Sequence, residues 1–263
     1  MTGLRILCFD DGPLPAVVCL HDAGGHARRF ERLARVLEER RRVVAYDLRG
    51  HGRSPWAGGQ TVGDHADDLQ SVLERLGIDQ TALVGEGFGC WPAIEFAATA
   101  GDRVTALILL DPPLSLPAAA IRELAERQRA APSYERVDDA IEALRDDLVP
   151  VHTPQALLEE EMAEHLVADE DGRMRPRVSR AAVAEFLDEA AESPPRLRDV
   201  VCPTLIVRGA HSHALSETDA EAAAGELRRG TVATVPGGHP VLWDALAETG
   251  AVVRDFVLAR TPA

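Results

Sequence analysis

The sequence predicts an α/β protein built on a mostly parallel central sheet flanked by helices, with an inserted helical segment. Two observations lead there. Short β-branched apolar runs alternate with longer amphipathic segments, as they do when helices cover both faces of a parallel sheet. One stretch, from Pro112 to about Val200, then breaks that alternation with Ala-, Glu- and Arg-rich helical sequence punctuated by prolines.

In chain order, a weak first strand LRILCF (4–9) precedes AVVCL (16–20) and a helix over 28–40. RVVAY (42–46) is followed by a helix over 64–76, TALVG (81–85) by one over 88–100, and then comes VTALILL (104–110). After the interruption, TLIVRG (204–209) leads to a helix over 216–228, where Ser216 is a suitable cap with Glu217 and Asp219 in the first turn. TVATVP (231–236) and a helix over 240–259 close the pattern. No convincing strand is read within 112–200, which is far too long for an ordinary crossover. The expected organisation is a core of residues 1–111 and 201–263 carrying a helical cap over 112–200.

At 263 residues the chain suits a single α/β domain with a large core. No apolar run approaches the ~20 residues that span a bilayer. The N-terminus lacks the basic start and long apolar stretch of a secretory signal, so a cytoplasmic location is expected. A formal charge of −15 repels phosphate backbones and anionic lipid headgroups. Nucleic acid and membrane surfaces are therefore excluded as expected partners, leaving a small-molecule substrate; oligomeric state is not specified. Cys8, Cys19, Cys90 and Cys202 are scattered and form no CxxC pair, so neither a disulfide framework nor a zinc site is expected. His211 and His213 have metal-ligand spacing but no third ligand nearby, and no metal is expected. VGEGFG (84–89) fails as a dinucleotide fingerprint after Gly89, and no cofactor is expected.

In such a sheet, ligands bind where strand ends, loops and helix N-termini converge, so the residues just after each strand carry the functional information. After the second strand stands His21-Asp22-Ala23-Gly24-Gly25, and after the third Asp47-Leu48-Arg49-Gly50-His51-Gly52-Arg53-Ser54. Gly85-Glu86-Gly87-Phe88-Gly89 joins the fourth strand to its helix, and Gly237-Gly238-His239-Pro240 follows the last strand. These four motifs, in this order, resemble those of the α/β-hydrolase family over nearly the whole chain. The resemblance implies a His-Gly oxyanion loop, a D-x-R-G-x-G-x-S turn, a nucleophile elbow and a catalytic histidine.

It also implies roles. Gly87 stands at the nucleophile position, where the family places serine. The backbone N–H groups of Phe88 and Ala23 would hold an oxyanion, and His239 would be the base. The usual site of the orienting acid reads Gly209-Ala210-His211-Ser212, so the acid falls to Asp111 at the end of the fifth strand; capping the next turn is the other role open to it. His21, Asp22 and Glu86 are candidates for substrate contact. His26 and His51 lie at the same end of the sheet, and Phe88, Trp91 and Phe30 are candidates for an apolar wall.

With glycine at position 87 the acyl-enzyme route is closed there, and with no aspartate at that position so is the alkyl-enzyme route. The elbow holds its central residue in a sparsely populated backbone region costing ~1–3 kcal/mol, which glycine adopts freely. Three functions stay open. The first is an enzyme using non-covalent His239–Asp111 acid–base chemistry on a small carbonyl-containing metabolite, hydrolase- or lyase/cyclase-like. The others are a non-catalytic binding or scaffold protein, and a serine hydrolase inactivated by substitution at Gly87.

Overall fold

The protein is described from a computed structural model, covering residues 3–9, 12–37, 40–56, 58–130, 133–148 and 153–259. Seven strands form the main sheet: β1 (Ile6–Cys8), β2 (Ala16–Leu20), β3 (Val43–Tyr46), β4 (Thr81–Glu86), β5 (Val104–Leu110), β8 (Thr204–Gly209) and β9 (Gly230–Val235). Between β5 and β8 lies a separate antiparallel pair, β6 (Leu166–Ala168) and β7 (Met174–Pro176). The main order is β1-β3-β2-β4-β5-β8-β9, with only β1 antiparallel to its neighbour. The order reverses at β2, so β3 and β4 flank it and the loops after β2, β3 and β4 open at one end of the sheet.

The central strands are buried on both faces, which is why β2 and β5 read as nearly continuous apolar runs. Alternate residues supply two cores. Val18 and Leu20 pack with α2 (Val62–Leu76), α3 (Cys90–Thr99) and α8 (Glu217–Glu226). Val17 and Cys19 pack with α1 (Glu31–Leu37) and α10 (Leu246–Leu258). Thr61 and Asp64 form a reciprocal capping box at the start of α2, and Gly77 ends it at φ 64°. Ser216 caps α8 by accepting from the Asp219 N–H.

The stretch expected to be helical over 112–200 contains α4 (Ala118–Ala130), α5 (Val137–Leu148), α6 (Gln155–His165) and α7 (Arg180–Glu192). It also contains β6 and β7, which the sequence reading missed because three-residue strands are too short to show a period. Helices α4 and α7 pack on each other and share the α2–α3 core, whereas α5 and α6 share the α1–α10 core. Two further helices depart from expectation. The helix expected over 28–40 opens with a 3-10 turn (Ala27–Phe30), and its end at 38–39 lies outside the described residues. The last breaks at Ala245 into α9 (Val241–Asp244) and α10.

Among the described residues no helix is long and apolar enough to cross a membrane, and no cluster of three or more His, Cys, Asp or Glu could hold a metal ion. The four cysteines are free.

Candidate active site

The site begins with β4 running into α3 through a turn of almost no width. Gly87 has φ 52°, in the left-handed region that glycine adopts without strain. Gly89 lies so close to the end of β2 that a Cβ there would overlap the carbonyls of Leu20 and His21. The tight approach aims the Phe88 N–H at the loop after β2.

That loop supplies the central feature. Asp22 turns its carboxylate over Gly87, and a Cβ added at Gly87 would fall on it. Oδ1 of Asp22 accepts from the Phe88 N–H at 2.7 Å and from the Ala23 N–H at 2.8 Å. These two amides are the pair expected to hold an oxyanion, and Asp22 occupies their focus. Oδ2 lies 3.3 Å from Nε2 of His239. On the far side of the ring, Nδ1 lies 2.8 Å from Oδ2 of Asp111. Asp111, His239 and Asp22 therefore form one continuous chain of side chains.

A carboxylate facing each ring nitrogen of His239 is the arrangement that suits an imidazolium donating from both nitrogens. Burial opposes that charge, but the hydrogen bonds and negative charges of Asp111 and Asp22 outweigh it and raise His239 to about 10. Burial also works against the Asp22 carboxylate; His239, the Phe88 N–H and Arg29 prevail and hold it below its ordinary value.

Asp111 sits at the end of β5 with φ 45°, the only non-glycine positive φ among the described residues. Its Oδ1 accepts from the Gly209 N–H at 3.2 Å, and its Oδ2 also accepts from the Ser212 hydroxyl at 2.5 Å. Ser212, standing where the family's usual acid would be, thus holds the Asp111 carboxylate in place. The sequence signal for this was the pairing of an aspartate after an apolar strand with a serine at the vacated site.

Two residues expected to contact substrate, His21 and Glu86, are buried and do not line the cavity beside Gly87. His21 is fully buried. Its Nδ1–H donates to the Asp22 carbonyl at 2.8 Å and its Nε2 accepts from the Leu48 N–H at 3.0 Å. Burial, then the neighbouring His51, lowers its pKa well below the ordinary value, so the ring is a neutral brace for the loop. Glu86 is also fully buried and pairs with Arg29 at 3.0 Å. The Arg29 guanidinium lies 4.8 Å above the Trp243 ring. A polar residue beside a motif looks functional in sequence, whereas each of these two satisfies buried partners.

The D-x-R-G-x-G-x-S turn is likewise a brace. Asp47 accepts from the Ala27 and Arg53 N–H groups at 2.9 and 3.0 Å, and Arg49 grips Asp68 through two bonds of 2.7 and 2.8 Å. His51 accepts from the Gly24 N–H at 2.9 Å. Cys90 is buried, and burial raises its thiol well above the ordinary value, so it is no substitute nucleophile.

Asp22, Gly87, Phe88 and His239 border a cavity of about 640 Å³. Its opposite walls come mainly from the 112–200 stretch, through apolar side chains such as Leu116, Leu124, Leu144, Met162 and Leu187. His26, His165, His211 and His213 also reach it, whereas Trp91 and Phe30 lie in the core. His26 is recognisable from its place in the loop after β2, whereas nothing in the sequence marks His165 or Glu161, which arrive from α6.

A family model described as alpha/beta hydrolase fold matches residues 15–246. Lipase LipV of Mycobacterium tuberculosis is 34% identical over 251 residues, covering 90% of this chain and 91% of that protein. The 2-(acetamidomethylene)succinate hydrolase of Mesorhizobium japonicum is 30% identical over 209 residues, covering 79% and 74%. The crystal structure of E-2-(acetamidomethylene)succinate hydrolase superposes with a TM-score of 0.86 at 25% identity, covering 97% of this chain and 94% of the other.

Proposed function

Because the chain belongs to the alpha/beta hydrolase fold family, we propose that it is a hydrolase of small organic metabolites that works through Asp111, His239 and Asp22 rather than through a residue at position 87. The observation that carries this reading is the seat of Asp22. One carboxylate oxygen fills the two-amide focus and the other faces the imidazole, the two places where a hydrolase of this fold needs a reacting oxygen.

The narrower expectation was a carbonyl substrate worked on by His239 as a free base, with the Phe88 and Ala23 amides holding its oxyanion. The resting site argues for a different division of labour. The amides are already engaged by Asp22, and His239 already carries its proton. His239 is then a proton donor first and becomes a base only after Asp22 has lost its charge or moved away. Asp111 keeps the ring oriented throughout. The 112–200 stretch acts as a cap whose apolar side chains set substrate size. The relatives' printed activities, a lipase and a succinate-derivative hydrolase, support hydrolysis as the reaction type. We assign the chain no cofactor and a cytoplasmic place of work.

Turnover of a panel of esters, lactones and alkyl electrophiles tests the reading. His239→Ala should abolish any activity found; full activity in that variant overturns it. One observation favours the alternative of a binding protein: Asp22, His239 and Asp111 satisfy one another without a substrate. That reading requires ligand binding without turnover. An inactivated serine hydrolase fits less well, because Asp22 occupies the space a serine Cβ at position 87 would need.

A further inference from the structure

We infer that Asp22 is a covalent nucleophile and that the substrates are alkyl electrophiles, in which a tetrahedral carbon carries a halide or a strained-ring oxygen. The inference rests on the hydrolase reading above and names its substrate class.

Which oxygen the two amides serve decides the chemistry. A nucleophile attacking a carbonyl needs donors for the substrate's oxygen, yet the Phe88 and Ala23 amides are held by Asp22 Oδ1. Displacement at a tetrahedral carbon creates no oxyanion on the carbon attacked and needs no such hole. Asp22 borders the cavity, and its Oδ2, held by His239 rather than by the amides, is the oxygen left to attack. Leu116, Leu124, Leu144, Met162 and Leu187 on the cavity wall suit the alkyl part of such a substrate, beside the polar side chains of the same lining.

The steps balance. Oδ2 bonds to the substrate carbon as the carbon–leaving-group bond breaks, giving an aspartyl ester and a leaving anion. The ester is uncharged, so His239 loses one of the two carboxylates that hold its proton and gives that proton up, to solvent or to a ring-opened alkoxide. Neutral His239 then takes a proton from water as the water adds to Cγ of Asp22. The oxyanion formed is Oδ1, already between the Phe88 and Ala23 amides. Collapse breaks the Cγ–Oδ2 bond and releases the alcohol, protonated by His239. The new carboxylic acid returns a proton to His239, restoring the ion pair. The sum is substrate plus water giving alcohol plus the protonated leaving group. Gly87 is required because any Cβ there would displace the nucleophile.

Phenyl glycidyl ether and 1-bromobutane serve as probes, with intact-mass and peptide mapping as the readout. His239→Gln, which keeps the side chain polar but cannot activate water, should accumulate one covalent adduct on the peptide carrying Asp22. Asp22→Asn should not label. The unaltered protein, turned over in heavy-oxygen water, should gain one heavy oxygen in the Asp22 carboxylate, a measurement independent of how well the variants fold. An unlabelled His239→Gln protein together with no heavy oxygen in Asp22, or equal labelling of Asp22→Asn, overturns the inference. If p-nitrophenyl acetate is hydrolysed in a His239-dependent way while Asp22 stays unlabelled, only the alkyl-enzyme step falls. If neither probe class is turned over, the hydrolase reading falls with it.

Discussion

Asp22 and Gly87 fit each other: the carboxylate of the first lies where a side chain on the second would begin. The pair links two loops far apart in sequence, since the Phe88 N–H that binds Asp22 is 66 residues away. Gly87→Ser alone should therefore be worse than a simple restoration. It places a side chain at φ 52°, costing ~1–3 kcal/mol, and forces Asp22 from its two amides. Thermal unfolding should fall by several degrees. A fluorophosphonate probe should label this variant poorly by intact mass and label the Asp22→Gly/Gly87→Ser double variant readily. The two substitutions should be strongly non-additive. Efficient labelling of the single variant would show that Asp22 yields its place freely.

The doubly paired imidazole makes a pH prediction. Burial disfavours its charge, but Asp111 and Asp22 raise His239 from its ordinary 6.5 to about 10. A group raised on folding contributes stability fully below its unfolded value and loses that contribution as pH climbs to the folded value. Stability should therefore decline between about pH 6.5 and pH 10. Denaturant unfolding across that range should show a steeper fall for the natural protein than for His239→Gln. Nuclear magnetic resonance of the ring should show no titration near neutrality. Asp22→Asn, by removing one hydrogen bond and one negative charge, should move the His239 titration downward.

Much of the frame was legible in the chain. Strands buried on both faces read as apolar runs such as VTALILL, and the loops that follow them carry recognisable motifs. What was not legible is long-range complementarity. An aspartate at position 22 and a glycine at position 87 each look like an isolated departure from a motif, and only the fold shows them to be one arrangement. His21 and Glu86 failed for the related reason that burial and a partner, not proximity to a motif, decide what a polar side chain does. The pairing of Asp111 with His239 was legible locally, because a carboxylate closing a mostly apolar strand needs a partner and the usual acid site held Ser212.

Asp111 and Ser212 should separate cleanly on substitution. Asp111→Asn keeps the shape but removes the charge that stabilises the imidazolium, so turnover should fall by roughly 10²–10⁴ and the His239 titration should shift down. Ser212→Ala removes one hydroxyl donor and leaves the Gly209 N–H and His239 in place. It should cost about 1 kcal/mol in unfolding and leave most of the activity. Equal kinetic losses in both would make Ser212 more than a support.

Glu86 offers the sharpest contrast between a residue that looks functional and one that holds the floor of the site together. Its carboxylate is buried and meets the Arg29 guanidinium, which is itself packed over Trp243. Glu86→Gln keeps the volume but leaves Arg29 to Glu161, 3.9 Å away, and to the more distant charge of Asp22. Breaking a buried pair from one side typically costs ~3–5 kcal/mol, and the remaining negative charges should place this variant at the lower end. Chemical denaturation should show that loss while the KM of the remaining activity stays unchanged, because Glu86 does not reach the cavity. A raised KM at unaltered stability would instead make Glu86 a substrate contact and require the cavity floor to open in the working enzyme.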